Sequence, residues 1–465
     1  MKKLHNFLYF ISLKNVNFLF FLLLPVSFII GSAVINILLF LISIVFIVSL
    51  YKEKKWNLFN NITFKLFVFF LIYASIVTTI NSEGLLYSEL IKIISYIKYI
   101  LLFFFISYVY LNLEIEKKIL FKNINYGIII FFSVDLLFQY LTGSNILGYE
   151  PGMCFKGNNY FNLTNLRLEY TDGIFCQRLG GLFNQEFIAG TFLLFFGSIF
   201  IFLKFSKKKK FVLFCALNIL IFLILITGDR TPLLMIVSSV FLFLLINKDF
   251  RKYLFIWISA LTITFSILIL ISPQLYVRYQ YVYNKIFGKN VIKNFDVIET
   301  KQEKNFKIDK ESNISNIILN RFYNTPWGAH YFVSFQIIKD NPVFGQGLKT
   351  FKKKCTYYLK NTDLKNKSIA CSNHPHNLFL EFLIDYGLFG LVLLIIIIYS
   401  IFYNKKIKQK IFYEPMLLYL ICLLLMSLFP LKPSGSFFST NSGTAFFYLL
   451  GWINLLLNKT EMKIK

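Results

Sequence analysis

The sequence has few charged residues for its length. Asp, Glu, Lys and Arg make up 15% of the 465 residues, whereas hydrophobic residues make up 57% and aromatic residues 19%. A soluble protein of this composition would expose large apolar patches and aggregate. The scarcity of charge therefore argues against a soluble protein and predicts an integral membrane protein.

Motifs that bind a catalytic metal ion or a nucleotide are missing. The chain has no HExxH sequence, no pair of CxxC motifs, no Walker loop and no DxD-like acidic motif. Each of these would place ligands at the spacing that its chemistry requires. We therefore expect no metal and no cofactor. We also expect no nucleic-acid partner, because the lysines behind the net charge of +26 cluster between apolar segments.

Long apolar runs are what the sequence has instead. A bilayer core of about 30 Å is crossed by about 17–25 apolar residues in a helix. The first run lacks a clear cleavage site and is expected to be retained. The fold class predicted is an all-α, polytopic membrane protein with about twelve transmembrane helices, near residues 15–30, 33–51, 62–80, 89–110, 120–142, 186–203, 211–227, 231–247, 253–271, 383–403, 411–428 and 440–458.

The distribution of basic residues predicts the orientation. Lysine-rich segments such as "KEKK" (52–55) and "NKKIKQK" (404–410) alternate along the chain with short loops. The only basic residues in these short loops are Arg230 and Lys432. Lys and Arg accumulate in cytoplasmic loops. Both termini are therefore expected in the cytoplasm, with Arg230 and Lys432 on the outer side.

Two long loops, 143–185 and 272–382, fall on the outer side. The chain thus divides into residues 1–271 with nine predicted helices and the first long loop, residues 272–382 with the second, and residues 383–465 with the last three helices. The second loop is rich in lysine. It is either a solvated loop or a basic surface that attracts anionic headgroups or a phosphorylated substrate.

Four of the six cysteines lie in the two long loops. Cys154 and Cys176 share the first loop, and Cys355 and Cys371 share the second. Even numbers of cysteines in an oxidising compartment suggest disulfides. We expect bridges 154–176 and 355–371, with free thiols as the alternative.

Three polar stretches lie where the outer side meets the membrane. Arg178 precedes a Gly-Gly turn in "CQRLGGLFNQEFIAG" (176–190). Arg230 lies in the tight turn "LITGDRTPLLM" (225–235), where Asp229 is expected to cap the next helix. The third stretch is "HPHNLFLEFLIDYGLFG" (374–390). Each of the three is also compatible with a plain turn or helix cap.

The third stretch predicts a helix that begins beside two histidines. Pro375 suits a first helical position, which would place His376 in the first turn. The positive end of the helix dipole disfavours imidazolium, so His376 is expected to be neutral near pH 7 and able to accept a proton. Glu381 and Asp385, four residues apart, share a helix face and are expected to orient their neighbours.

Together the three stretches place two arginines, a neutral histidine and a helix N-terminus on one side of the membrane. Arginine binds phosphates with two parallel hydrogen bonds, and a neutral histidine can deprotonate a hydroxyl. A reaction in which a hydroxyl nucleophile displaces a diphosphate leaving group needs this combination.

At these residues the sequence resembles the O-antigen ligase family, which includes O-antigen polymerases. "HPHNLFLEFLIDYGLFG" is similar to the family's His-Asn-x-x-Leu segment, and "IIKDNPVFGQGLKTF" (337–351) to its Asn-Pro-x-x-Gly-x-Gly stretch. "ITGDRTPLL" resembles the turn with Arg and Ser/Thr, and "QRLGGLFNQEFIAG" the Arg-x-x-Gly-x-Phe motif. In that last motif Asn184, Gln185 and Glu186 replace the frequent Asn-Pro-Asn.

The resemblance implies a bacterial inner-membrane transferase that moves a glycan from undecaprenyl diphosphate at the periplasmic face. His376 would be the catalytic base, and Arg178 and Arg230 would hold the diphosphate. His374 and Asn377 would shape the site or bind sugar, with Glu381 also among the substrate-binding residues. The acceptor would be lipid A–core for a ligase or a lipid-linked glycan for a polymerase. Direct displacement would invert the anomeric centre.

A transporter or lipid-linked oligosaccharide flippase is the alternative from another class. Twelve spans with cytoplasmic termini describe many transporters, although no internal repeat is visible. Lys98 and Asp135 are the best candidates for intramembrane charges and are expected to pair.

Overall fold

The computed structural model describes most of the predicted membrane region. The described residues are 12–82, 86–162, 167–184, 186–205, 210–271, 322–323, 326–360, 371–403 and 414–459, with only the backbone described in 153–177, 269–271, 326–327, 360 and 459. Most of the second predicted long loop, including 288–321, lies outside the described residues.

A helix lies at each of the twelve predicted segments. The helices of the described chain are α1 Leu13–Ile30, α2 Ser32–Lys52, α3 Ile62–Ile80, α4 Leu86–Ser95, α5 Ile97–Asn112, α6 Ile115–Thr142, α7 Ala189–Phe205, α8 Lys210–Ile226, α9 Arg230–Ile246, α10 Leu254–Ile271, α11 Pro326–Asp340, α12 Thr350–Lys360, α13 Leu378–Phe402, α14 Pro415–Ser427 and α15 Thr440–Lys459.

The described residues contain seven helical spans that are long and apolar enough to cross a membrane: α1, α2, α3, α6, α10, α13, and the span formed by α4 together with α5. Four shorter apolar helices, α7, α8, α9 and α14, accompany them. The chain is therefore a helical membrane protein, as its composition predicts, and the number of spans stays a prediction.

The first long loop contains an antiparallel hairpin, which departs from the all-α prediction. Strand β1, Gly152–Asn162, pairs with β2, Arg167–Arg178. The register places the Cα of Cys154 opposite that of Cys176. The predicted disulfide concerns side chains outside the described part, so it stays a prediction. The hairpin ends at Arg178, where the chain returns to the helices.

Aromatic side chains fill the interior of the bundle. Phe21 stacks on Phe121 with 4.2 Å between ring centroids, and Trp452 is fully buried. Helix α15 approaches α5 so closely that a Cβ on Gly451 would lie 2.7 Å from Ile106. Small residues allow such close contact between membrane helices. The packing fixes α15, and with it the loop that precedes it.

The second long loop supplies two helices, α11 and α12, that pack on each other and on α13. A separate apolar cluster joins them, formed by Ala329, Val333, Ile337, Phe351, Cys355, Leu359 and Ile384. Cys355 and Cys371 form a disulfide. The described part of this loop is therefore an ordered layer above α13.

Helix α13 is broken at Gly387, whose φ is 64° and ψ −171°. A loop from the Asn-Pro-x-x-Gly-x-Gly segment fills the break: the amide of Leu388 donates to the carbonyl of Pro342, and the amide of Gln346 donates to the carbonyl of Ile384, both at 2.9 Å. Irregular backbone at membrane depth needs such protein partners, because lipid supplies none.

The predicted pairing of Lys98 with Asp135 is wrong. The ammonium of Lys98 donates to the side-chain oxygen of Asn36 at 2.7 Å. Asp135 instead accepts from the backbone amide of Ile146 at 3.0 Å. The two side chains hold different parts of the bundle, which removes this argument for a charge path across it.

Candidate active site

A cavity of about 490 Å³ opens where α9 begins and α14 ends. We call it the central cavity. Its polar lining comes from seven separate segments and consists of Arg178, Thr191, Asp229, Arg230, Thr231, His376, Ser427, Lys432, Ser434 and Ser442. The three residues predicted to be catalytic, Arg178, Arg230 and His376, all line this one space.

Backbone contacts bring Arg178 to the cavity. Immediately after β2, the amide of Leu179 donates to the carbonyl of Thr227 at 3.1 Å, which ties the hairpin to the turn before α9. The guanidinium carbon of Arg178 lies 4.5 Å from the ring centroid of Phe187. Its Nε is 3.8 Å from Oδ1 of Asp229. The arginine is thus held by a cation–π contact and a carboxylate, and its side chain stays partly exposed.

Asp229 does not cap α9, contrary to the prediction. Although it occupies the N-cap position, its side chain makes no capping hydrogen bond. Its Oδ2 accepts from the amide of Gly190 at 3.0 Å, and the residue is 5% exposed. A Cβ on Gly190 would lie 2.9 Å from this oxygen, so glycine is needed there. The carboxylate therefore positions Arg178 against the start of α7.

Arg230 is the first residue of α9. Its side chain lines the central cavity and is partly exposed. The N-terminus of a helix carries partial positive charge and unsatisfied amides. An anion in the cavity would therefore meet the guanidinium and the helix end together.

His376 lies before α13 rather than in its first turn. The helix begins at Leu378, and Asn377 is the N-cap, so the prediction that Pro375 opens the helix is wrong. His376 has a φ of 54°, in the left-handed region that non-glycine residues rarely adopt. Its carbonyl accepts from the amide of Ser434 at 2.8 Å. This contact, from the loop before α15, holds the imidazole toward the cavity.

The histidine is held in its neutral form by its surroundings. Burial lowers the pKa of His376 below its ordinary value of 6.5. Burial, followed by the neighbouring His376, lowers the pKa of His374 to about 4. The physical cause is desolvation rather than the helix end on which the prediction relied. A neutral His376 can accept a proton at neutral pH.

The three predicted substrate-binding residues lie behind the cavity rather than in its lining. The amide oxygen of Asn377 accepts from the amides of Phe379 and Leu380, and its nitrogen donates to the hydroxyl of Tyr331 and the carbonyl of Pro430. Asn377 is 2% exposed. It stabilises the helix start and has no group left for a sugar.

Glu381 and His374 also act through neighbours. The carboxylate of Glu381 accepts from the hydroxyl of Ser436 at 2.5 Å and from the amide of Phe437 at 2.8 Å. It thereby holds the loop that carries Ser434. The ring of His374 lies 4.2 Å from that of His376. Glu381 thus contacts the loop that precedes α15, and His374 packs beside His376; whether either residue binds substrate stays a prediction.

Two residues of the site were missed in the sequence. Lys432 lines the cavity, and burial lowers the pKa of its ammonium to about 8. The signal was its place as one of two basic residues in the short loops predicted to lie on the outer side. His330, 4% exposed on α11, has its ring 5.0 Å from that of His376. No local signal marks it, because α11 is far from His376 in the chain.

Comparison with known protein families supports the same region. Residues 215–395 match the family model described as O-antigen ligase. The match covers Arg230 and His376, whereas Arg178 and Lys432 lie outside it. The resemblance to this family is thus confirmed for the region that holds three of the four motifs, whereas the motif at 177–190 lies outside the match. A search of curated proteins finds no significant match.

Proposed function

We propose, from the O-antigen ligase family match and the central cavity, that the chain transfers a glycan from a lipid diphosphate to an acceptor hydroxyl at the periplasmic face of the inner membrane. The single observation that carries the proposal is that Arg178, Arg230 and His376, from three distant segments, line one cavity. Two guanidinium groups suit a diphosphate, and a neutral imidazole suits a hydroxyl.

The reaction follows from the roles of these groups. His376 takes the proton of the acceptor hydroxyl as its oxygen attacks the anomeric carbon. The bond from that carbon to the diphosphate oxygen breaks, and its electron pair leaves with the diphosphate. Arg178 and Arg230 stabilise the charge that develops there, which lowers the barrier most in a site shielded from water. Attack opposite the leaving group inverts the anomeric centre, and no metal takes part.

Asp229 has a supporting part in this scheme. Its carboxylate is close enough to Arg178 to orient the guanidinium, while its second oxygen is occupied by Gly190. The lining holds three cationic side chains and one carboxylate. This balance leaves a positive field for a diphosphate.

The acceptor decides between ligase and polymerase, and the lipopolysaccharide of a strain that lacks this gene tests both. Lipid A–core without any attached glycan, with undecaprenyl-linked glycan accumulating, supports a ligase. Core that carries a single repeat supports a polymerase. An unchanged ladder together with unchanged lipid-linked pools would contradict glycan transfer in this pathway, and a capsule or modified protein would then be assayed.

A further inference from the structure

Three of the four histidines in the chain lie side by side at the central cavity. The ring centroid of His376 is 5.0 Å from that of His330 and 4.2 Å from that of His374. His374 is two residues from His376 in the sequence, whereas His330 comes from α11. His5, the fourth histidine, lies outside the described residues. A chain with so little histidine thus places a second and a third imidazole beside its proposed base.

His330 lies beside His376 but outside the lining of the central cavity. It is 4% exposed, and it is not among the described residues that line the cavity, whereas His376 is. Its ring also lies 5.9 Å from that of Phe351 on α12. The adjacent Ala329 belongs to the apolar cluster between α11, α12 and α13. Any effect of His330 on the reaction therefore passes through His376.

The charged groups around His376 are engaged elsewhere or cannot accept its proton. A histidine base is usually held in one tautomer by a hydrogen bond to its second ring nitrogen. The carboxylates on neighbouring elements have other partners: Glu381 binds Ser436, Asp385 binds the amides of Lys349 and Thr350, and Asp229 binds Gly190. Across the cavity lie the cations Arg178, Arg230 and Lys432, which accept no hydrogen bond. Among the described residues, the two imidazoles are therefore the titratable acceptors beside His376.

The two imidazoles differ in what holds them. Burial, followed by the neighbouring His376, lowers the pKa of His374 to about 4, so this ring stays neutral at neutral pH. It is also hydrogen-bonded to the backbone of Ser434, in the loop before α15. His374 is thus a poor partner for proton exchange, and His330 is the imidazole on the other element that contacts the base.

We propose that His330 is a positioning residue for His376: it accepts a hydrogen bond from one ring nitrogen of His376 and takes over that proton when the other nitrogen deprotonates the acceptor. The inference rests on the proposed glycan transfer. Ring centroids 5.0 Å apart allow a direct hydrogen bond between two ring nitrogens. The pairing keeps the nitrogen of His376 that faces the cavity free of hydrogen, which is the tautomer that a base needs.

The proton balance of the step is simple. The O–H bond of the acceptor breaks, and its proton binds the nitrogen of His376 that faces the cavity. The proton on the second nitrogen of His376 moves to His330. His376 is then neutral, and His330 is an imidazolium. The proton returns along the same path to the cavity once the product has left.

The pairing can be measured without turnover, because the chain has only four histidines. With isotope-labelled histidine and His5→Gln, the protein in nanodiscs gives three imidazole signals by NMR, and His376→Gln assigns the signal of His376. Pairing stabilises the imidazolium form, so the first proton binds at higher pH than it does to His376 alone. We expect His376 and His330 to shift together in two steps at least about one pH unit apart.

Removal of His330 gives the decisive comparison. In His330→Gln, the signal of His376 should move in a single step and at lower pH. Ser334→Ala is the control on the same helix, since its hydroxyl donates to the backbone carbonyl of His330 at 2.7 Å and not to the ring. This variant should keep both steps. A titration of His376 that is the same with and without His330 would overturn the proposal.

Transfer kinetics then link the pairing to the reaction. His330→Gln keeps a hydrogen-bond acceptor but takes up no proton, whereas His330→Phe keeps only the shape of the ring. Both should lower kcat, by about tenfold or more, with the KM for the donor little changed. Both should move the acid limb of the pH profile to lower pH by about one unit. The loss of kcat should be smaller in His330→Gln, which still fixes the tautomer.

The outcomes separate this proposal from the proposed function. If the unaltered protein transfers, but His330→Gln keeps its kcat and its acid limb, the role of His330 is refuted. A lower kcat with an unmoved acid limb would show that His330 only packs against the base, which also refutes proton sharing. If the unaltered protein transfers nothing at any pH, the proposed function fails, and the NMR titration still decides whether the histidines are paired.

Discussion

Gly345 and Gly387 meet backbone to backbone, since a Cβ placed on Gly345 would lie 2.4 Å from the nitrogen of Gly387. Both residues have positive φ, 77° and 64°. The contact seats the Asn-Pro-x-x-Gly-x-Gly loop in the break of α13. Because α13 begins just after His376, this joint positions the helix that supports the proposed catalytic base.

Gly387→Ala should destabilise the protein by roughly 2–4 kcal/mol, because a Cβ there would lie 2.2 Å from the carbonyl oxygen of Val343 and the φ is unfavourable for alanine. Thermal unfolding in detergent measures the change. Gly127→Ala is the control, since nothing lies within 4 Å of its added Cβ, and it should be neutral or slightly stabilising. Equal melting temperatures for both variants would contradict the tight joint.

Asp229→Asn should reduce transfer roughly tenfold, mainly through a higher KM for the lipid diphosphate, because Arg178 loses the carboxylate that orients it. Steady-state kinetics with purified protein measure the change. Asp249 forms an exposed ion pair with Lys210 and serves as the control. Asp249→Asn should change transfer little. A normal donor KM in Asp229→Asn would show that Arg178 needs no such support.

Transfer should follow a bell-shaped pH profile. His376 acts in its neutral form, so the rate falls as the pH drops through its pKa, which burial places below 6.5. Lys432 is one of the three cations that line the cavity, so binding of the anionic diphosphate donor weakens as the pH rises through the lysine's pKa of about 8. Lys432→Arg should remove the alkaline limb, since arginine stays charged. An alkaline limb that persists in this variant would assign it to another group.

Loss of the disulfide between Cys355 and Cys371 should destabilise the layer of α11 and α12 by about 3 kcal/mol, the effect expected from a closed loop of this length. Limited proteolysis of Cys355→Ala measures it as faster cleavage in residues 326–371. Cys215→Ala, which removes a free thiol on α8, is the control and should cleave at the normal rate. A reductant should reproduce the effect in the unaltered protein and in Cys215→Ala, which both keep the bridge, and should not speed the cleavage of Cys355→Ala any further.

The positions of the helices were readable from the sequence because the bilayer imposes them directly. A span must be apolar over its whole length, and its flanking lysines show its orientation. The three catalytic candidates were also readable, since arginine and histidine are conspicuous at the ends of apolar segments. The sequence alone therefore indicated both the positions of the helices and the candidate residues at their ends.

The finer geometry depended on contacts between distant segments. Asp229 looked like a helix cap, but its partners are Gly190 and Arg178 from another part of the chain. His376 looked like a residue of the first helical turn, but Ser434 and the left-handed backbone place it outside the helix. Local propensity gives no information on such partners.

The most direct test of the central claim is glycan transfer by His376→Gln in the deletion strain, with membrane levels of the protein measured by immunoblot. We expect normal protein level and no transfer, because the side-chain amide of glutamine is not basic and cannot accept the proton. Arg251→Ala changes an exposed arginine away from the central cavity and should restore transfer fully. Near-normal transfer by His376→Gln would contradict the account, because it would show that the reaction does not need His376 as its proton acceptor.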